Sequence, residues 1–307
     1  MDFLKKLFTK RCCVGKQDDT RLCAWRPRAV DFASGETVGL IAGASQMPID
    51  FARAARAKGL KVAAIAHIDN SLKELEAEVD KICWVKVGQL GQIISFFKEH
   101  GVKKAAMLGG INRVKAFSEV SLDVRGALLM TKIRSTKDDV IMRGISSELA
   151  AEGIEIIDST IFYQDQLASN QILTNIGPSK EEIEDIEVGR AAIAAMSAQH
   201  IGQLVVIKNG VVVAVEAVEG SDEAIRRGCK LGGPGAVVVK CAKPDQDMRF
   251  DVPTVGSKTI ETMIEGSARV LALEAGRCLI LEKEKMLALA ENNGITVLGC
   301  RQLNNQI

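Results

Sequence analysis

Six charged side chains crowd one short stretch, Lys243-Pro-Asp-Gln-Asp-Met-Arg-Phe-Asp-Val-Pro-Thr-Val-Gly-Ser-Lys258. They are Lys243, Asp245, Asp247, Arg249, Asp251 and Lys258, framed by Pro244 and Pro253. The stretch leaves an apolar run, Gly235 to Lys240, that reads as a buried strand. Loops carried on such rigid elements are where chemistry concentrates. Carboxylates suit Mg²⁺, a hard cation that takes oxygen ligands and shares substrate phosphates. Lysine and arginine suit phosphate oxygens whose charge grows during reaction. The plainer alternative is a solvated connection in which Asp247 and Asp251 pair with Lys243 and Arg249.

A second charged turn, Glu219-Gly-Ser-Asp-Glu-Ala-Ile-Arg226, joins a hairpin to a helix. Ser221 is a natural N-cap, and Asp222 and Glu223 suit the positive end of a helix. Capping alone would account for Asp222. If strands over 211–217 and 236–241 are neighbours in one sheet, however, the two charged turns share an end. Asp222 and Arg226 then converge with the residues of the first stretch.

Two further loops follow strands near the N-terminus. Gly43-Ala-Ser-Gln-Met-Pro48 lies between a strand at Thr37 to Ala42 and a helix from Ile49, where open parallel sheets take phosphates. It lacks the G-x-G-x-x-G pattern of dinucleotide sites, and a tight turn explains it equally well. Asp69, after the second strand, suits a ribose hydroxyl only weakly. Gly109-Gly-Ile-Asn-Arg113 ends another strand, where glycines allow a close approach and Asn112 and Arg113 supply donors.

The elements that must position these residues fall into two halves. Strands at 37–42, 61–66, 82–87, 104–108 and 154–157 alternate with helices at 49–58, 90–100, 122–134 and 138–152, which predicts βαβ units and a parallel sheet. The second half has a helix at 179–200 with an acidic start and a hairpin at 203–217 turning on Asn209-Gly210, a type I′ signal. A strand at 236–241, a helix after Gly256, paired strands near 270–273 and 277–281, a helix at 283–291 and a strand at 294–298 complete it. The expected organisation is a basic extension over 1–34, a domain over 35–165 and a catalytic domain over 166–307.

Composition narrows the function. The chain has 307 residues, 47% of them apolar, enough for two cores. A net charge of +1 and a single tyrosine argue against a nucleic-acid surface. Eight cysteines show no C-x-x-C pair, so zinc is not expected, and those inside apolar runs read as core residues of a reducing cytosol. No Ser/His/Asp or Cys/His set competes with the acidic loops. No apolar run is long enough to span a membrane. Residues 1–30 carry eight basic side chains against three acidic ones, either a tail without fixed structure or an anchor for an anionic membrane face.

Three segments carry a family resemblance: Ala214-Val-Glu-Ala-Val-Glu-Gly-Ser-Asp-Glu-Ala-Ile-Arg-Arg227, Val239-Lys-Cys-Ala-Lys-Pro-Asp-Gln-Asp-Met-Arg-Phe-Asp-Val-Pro-Thr-Val-Gly256 and Ala272-Leu-Glu-Ala-Gly-Arg277. They resemble the UDP-2,3-diacylglucosamine pyrophosphatases of the LpxI type, over about Val38 to Gly299. The resemblance implies a Rossmann-like parallel-sheet N-terminal domain and a mixed α/β C-terminal domain with antiparallel strands. It further implies Mg²⁺-dependent hydrolysis of UDP-2,3-diacylglucosamine to UMP and 2,3-diacylglucosamine 1-phosphate, in lipid A synthesis. Asp222 matches the family's essential acidic residue. Combined with the residue reading, it gives Asp222, Asp247 and Lys243 as catalytic and Asp222, Asp245 and Asp251 as Mg²⁺ ligands. Gly43, Ser45, Asn112, Arg113, Gly220, Ser221, Arg226, Gln246, Arg249 and Thr254 are the expected substrate contacts. A cytoplasmic homodimer touching the inner membrane is the expected setting. The chain departs from the family pattern at Gly43-Ala44-Ser45, Gly110 and Val114. Those departures support an alternative, a nucleotide-sugar- or lipid-binding protein without catalysis. A nicotinamide-dependent oxidoreductase lacks its glycine fingerprint.

Overall fold

The computed structural model describes residues 30–111, 121–133, 138–197, 201–243 and 246–301. The extension expected over 1–34 falls almost wholly outside them, as do Asn112, Arg113 and Asp245. The chain divides into two compact units, one of residues 30–162 with Asp247–Asp251, the other of Tyr163–Gln246 with residues 252–301. Residues 247–251 thus sit with the first unit, whereas the expected division kept them with 166–307.

The N-terminal unit is built on five parallel strands: β1 (Thr37–Ala42), β2 (Lys61–His67), β3 (Lys81–Val85), β4 (Lys104–Leu108) and β5 (Glu155–Ile156). Helices α1 (Met47–Ala57), α2 (Leu90–Glu99), α3 (Val124–Ile133) and α4 (Asp138–Ala151) lie between them in sequence. The strand order is β3-β2-β1-β4-β5. Five of six residues in β1 and six of seven in β2 are buried, which suits strands covered on both faces. The order reverses between β1 and β4, the point where an open sheet leaves a crevice at its carboxyl ends.

That crevice is narrowed by backbone. Gly43 N–H donates to the Leu108 carbonyl at 2.7 Å, and Ala44 N–H to the Gly110 carbonyl at 2.7 Å. A Cβ on Gly43 would meet the Gly110 carbonyl oxygen at 2.5 Å. The glycines here admit the close approach of a neighbouring chain segment.

The C-terminal unit carries a mixed sheet of β6 (Leu204–Lys208), β7 (Val211–Val215), β8 (Val237–Lys240), β10 (Val270–Glu274) and β12 (Thr296–Cys300) in the order β12-β10-β8-β6-β7. β8, β10 and β12 are parallel, and β6 runs antiparallel to both β8 and β7. The hairpin turn has Asn209 at φ +50° and Gly210 at φ +79°, both left-handed as a type I′ turn requires. Two-residue periodicity sorts the strand side chains between two cores. Val205, Ile207, Val237 and Val239 pack with Ile186 and Ile193 of α5 (Lys180–Ser197). Leu204, Val206, Val238 and Leu271 pack on the other face, against α6 (Ser221–Gly232), α7 (Ser257–Glu265) and α8 (Lys283–Asn292).

Two expected pairings change. The strands at 211–217 and 236–241 are not adjacent, because β6 lies between β7 and β8. Both are antiparallel to β6, so they run the same way and still end on the same side of the sheet. The strands near 270–273 and 277–281 do not pair with each other. Both edges of β10 are taken by β8 and β12, so β11 (Leu279–Ile280) pairs instead with β9 (Thr254–Val255) in a separate two-stranded sheet.

Candidate active site

Asp222 stands in the first turn of α6, and its carboxylate meets the Lys258 ammonium at 3.1 Å. Lys258 is in the first turn of α7. Further along, the Arg226 guanidinium reaches Glu265 of α7 at 3.1 Å. The two helices therefore run side by side with their N-termini together. Two positive helix ends repel unless an anion sits between them, and the Asp222 carboxylate supplies part of that charge.

The end of α6 is shaped by its glycine. Gly220 takes φ +84° and is the N-cap, a residue with no side chain of its own to cap the helix. Ser221, expected as the cap, is instead the first helical residue. Its hydroxyl donates to Glu216 Oε1 at 2.7 Å and accepts from the Lys240 ammonium at 3.0 Å. Lys240 also donates to the Thr254 carbonyl at 2.8 Å. This is the structural part of Thr254, whose own hydroxyl donates to the Val252 carbonyl. Glu216 and Lys240 are 7% and 5% exposed, and neither was expected at the site. Strand periodicity was the available signal: each lies two residues beyond an apolar side chain, Ala214 or Val238, that faces α6.

Lys243 follows β8. Its carbonyl accepts from Gln246 N–H at 3.0 Å and from Arg277 Nη2 at 3.0 Å, and its own N–H donates to Gln246 Oε1 at 3.1 Å. Gln246 thus braces Lys243 through both its backbone and its side chain. Behind it, buried Glu274 accepts from Ala242 N–H at 2.7 Å and lies 3.5 Å from Arg277. Burial pushes the Glu274 carboxyl above its ordinary pKa, against the pull of Arg277. The nearby Cys278 thiol is pushed by burial up to about 12, so it is an inert core residue.

Residues 247–251 of the expected acidic loop belong to the N-terminal unit. In the N-terminal unit Asp247 accepts from Arg249 Nε at 2.9 Å and Nη2 at 2.7 Å, and Arg249 Nη1 donates to Ser146 at 3.0 Å. Burial raises the Asp247 pKa, but the Arg249 hydrogen bonds outweigh it and hold the carboxyl below the ordinary value. Phe250 packs on the core of that unit, and Ser159 donates to the Met248 carbonyl. Asp251 N–H closes the turn onto the Asp247 carbonyl. Asp247 and Arg249 therefore answer each other, as the plainer reading of their charges allowed. Arg226 is likewise engaged by Glu223 and Glu265.

Among the described residues no three His, Cys, Asp or Glu side chains stand together to hold a metal. Of the expected set, Asp222 belongs to the C-terminal unit and Asp251 to the N-terminal unit, and Asp245 lies outside the described residues. Mg²⁺ nevertheless needs only one or two protein carboxylates beside waters and substrate phosphates. Asp222 is a donor of that kind. In the N-terminal unit, Ser45 is strained at φ +139° just before α1, and its buried hydroxyl has no hydrogen-bond partner among the described residues. It suits a polar ligand group.

Fold and site define a two-unit α/β protein with an acid–lysine pair where two helices begin, beside the carboxyl ends of parallel strands. The LpxI N-terminal domain model matches residues 37–166 and the LpxI C-terminal domain model residues 169–298. The chain belongs to the LpxI family. It is 29% identical over 278 residues to a UDP-2,3-diacylglucosamine pyrophosphatase LpxI of Caulobacter vibrioides, covering 85% of this chain and 96% of that one. Among solved structures, one described as gox2253 aligns with TM-score 0.31 and 11% identity over 86% of this chain and 78% of its own. Pyruvate carboxylase of Rhizobium etli aligns with TM-score 0.26 and 14% identity over 62% of this chain and 17% of its own. Likenesses this slight bear on neither fold nor function.

Proposed function

We propose that the chain hydrolyses the pyrophosphate bond of UDP-2,3-diacylglucosamine, giving UMP and 2,3-diacylglucosamine 1-phosphate for lipid A synthesis. The relative's name supplies the substrate, and the alignment spans nearly all of that relative. The observation that carries the reading is the Asp222 carboxylate held against Lys258 where α6 and α7 begin.

Asp222 orients the attacking water and draws on its proton, work for which a positioned carboxylate is suited. Lys258, and Lys243 just beyond β8, face the growing charge on the non-bridging oxygens. The amides at the start of α6 add donors for the same anion. When bound by Asp222 and the diphosphate, Mg²⁺ would neutralise phosphate charge and lower the pKa of water.

Membrane contact belongs to the same proposal, since a diacylated substrate resides in a lipid surface. Among the described residues no helix is long and apolar enough to cross a membrane. The test is turnover of UDP-2,3-diacylglucosamine with and without Mg²⁺, reading UMP release. Hydrolysis in ¹⁸O-water then assigns the attacked phosphorus.

A further inference from the structure

A buried charged chain lies beneath the Asp222 turn. Lys240 ends β8 and Glu216 follows β7, and both point to the face that α6 covers. The link between the two charges runs through one hydroxyl: Ser221 donates to Glu216 at 2.7 Å and accepts from Lys240 at 3.0 Å. Glu216 is held in turn by Gln203 N–H, at 3.1 Å from its other oxygen. Lys240 directs a second N–H to the Thr254 carbonyl at 2.8 Å.

An ammonium and a carboxylate buried this deeply are a poor choice for stability alone. Well-packed apolar residues of similar size do as well or better. What the charged pair adds is direction. Ser221 immediately precedes Asp222. Thr254 lies in the strand that leads through Gly256 into α7 and Lys258. One ammonium therefore ties together the two turns that carry the acid and the lysine of the proposed site.

We propose that Lys240, balanced by Glu216 and acting through Ser221 and Thr254, is a positioning residue that holds Asp222 and Lys258 in register for the reaction. The proposal rests on the hydrolase reading above. The glutamate keeps the lysine's charge inside the fold, the serine passes its orientation to α6, and the threonine carbonyl passes it to the approach to α7.

The experiment compares the full chain with Lys240→Met, Ser221→Ala and the double variant. Turnover of UDP-2,3-diacylglucosamine is measured with Mg²⁺ at a temperature where circular dichroism shows each protein folded. Lys240→Met should lower kcat on the order of 10- to 100-fold, the scale of a small misplacement of reacting groups. KM should stay within about threefold, because substrate contacts are intact. The double variant should match Lys240→Met, since the serine acts in the same chain. Amide exchange should quicken at residues 221–224 and 257–259 and not in α8. If Lys240→Met does not fold, Lys240→Met with Glu216→Gln leaves no buried charge unpaired and carries the same test. A folded Lys240 variant with kcat within about twofold of the parent, or additive losses in the double variant, overturns the proposal alone. An inactive parent overturns the hydrolase reading, and this proposal with it.

Discussion

Asp222 and Lys258 meet at 3.1 Å across the first turns of two helices that begin side by side. The lysine side chain is 77% exposed and the aspartate 27%, so the pair lies at the surface. Exposed pairs of this kind contribute at most about 1 kcal/mol to stability. Its value is in the placement of a carboxylate between helix ends that attract anions.

Asp222→Asn keeps the size of the side chain and removes its charge. Stability to urea should change by less than about 1 kcal/mol. Turnover should fall at least about 100-fold, the usual scale for losing a positioned acid–base group. A large loss of stability with little loss of turnover would make Asp222 a structural residue.

Arg226→Gln tests a residue whose partners are both glutamates on the helix surface. Because Glu223 and Glu265 engage the guanidinium, kcat/KM should stay within about threefold and stability within about 1 kcal/mol. A rise in KM beyond that range would return Arg226 to the substrate contacts expected from its charge.

Gly43→Ala should act on stability. The new Cβ meets backbone oxygen at 2.5 Å, and backbone cannot swing aside. A cost of about 1–3 kcal/mol is expected, the scale of overpacking in a close-fitted region. Unchanged stability with a raised KM would show that the space beside Gly43 serves a ligand.

Asp158 gives the N-terminal unit a pH dependence. It is 8% exposed, and burial pushes its carboxyl up to about 6, against hydrogen bonds from Thr160; the nearby Asp247 charge adds to the rise. The folded state then binds this proton more tightly than the unfolded state. The stabilisation is complete below the ordinary value of 3.8 and is lost as pH rises through about 6. Asp247 works in the opposite sense, its contribution being lost as pH falls. Asp158→Asn should therefore gain up to about 3 kcal/mol over the parent at pH 7 and little at pH 4, read by urea denaturation. Equal gains at both pH values would remove the carboxyl's charge as the cause.

Much of this architecture was legible in the sequence. Alternation of apolar strands with amphipathic helices gave the parallel sheet, and Asn209-Gly210 gave the hairpin. The charge of the Glu219–Glu223 turn pointed to Asp222. The division of the 243–263 stretch was harder to read, because charge implied one solvated loop. Met248 and Phe250 were the contrary signal: both are apolar, and Phe250 packs on the other unit's core. The pairing of β11 depended on a non-local fact, that β10 has no free edge. Glu216 and Lys240 looked like strand-end charges, although their period-two alternation with Ala214 and Val238 turns both inward. Asp158 gave no local sign, since its shift arises from burial by distant segments.

UMP release from UDP-2,3-diacylglucosamine, measured for the parent chain and for Asp222→Asn with and without Mg²⁺, separates hydrolysis through Asp222 from binding alone. The parent should turn over many times only when Mg²⁺ is present, and the variant should lose at least about 100-fold. Substrate bound without release of UMP by the parent, or undiminished release by Asp222→Asn, would contradict hydrolysis through Asp222.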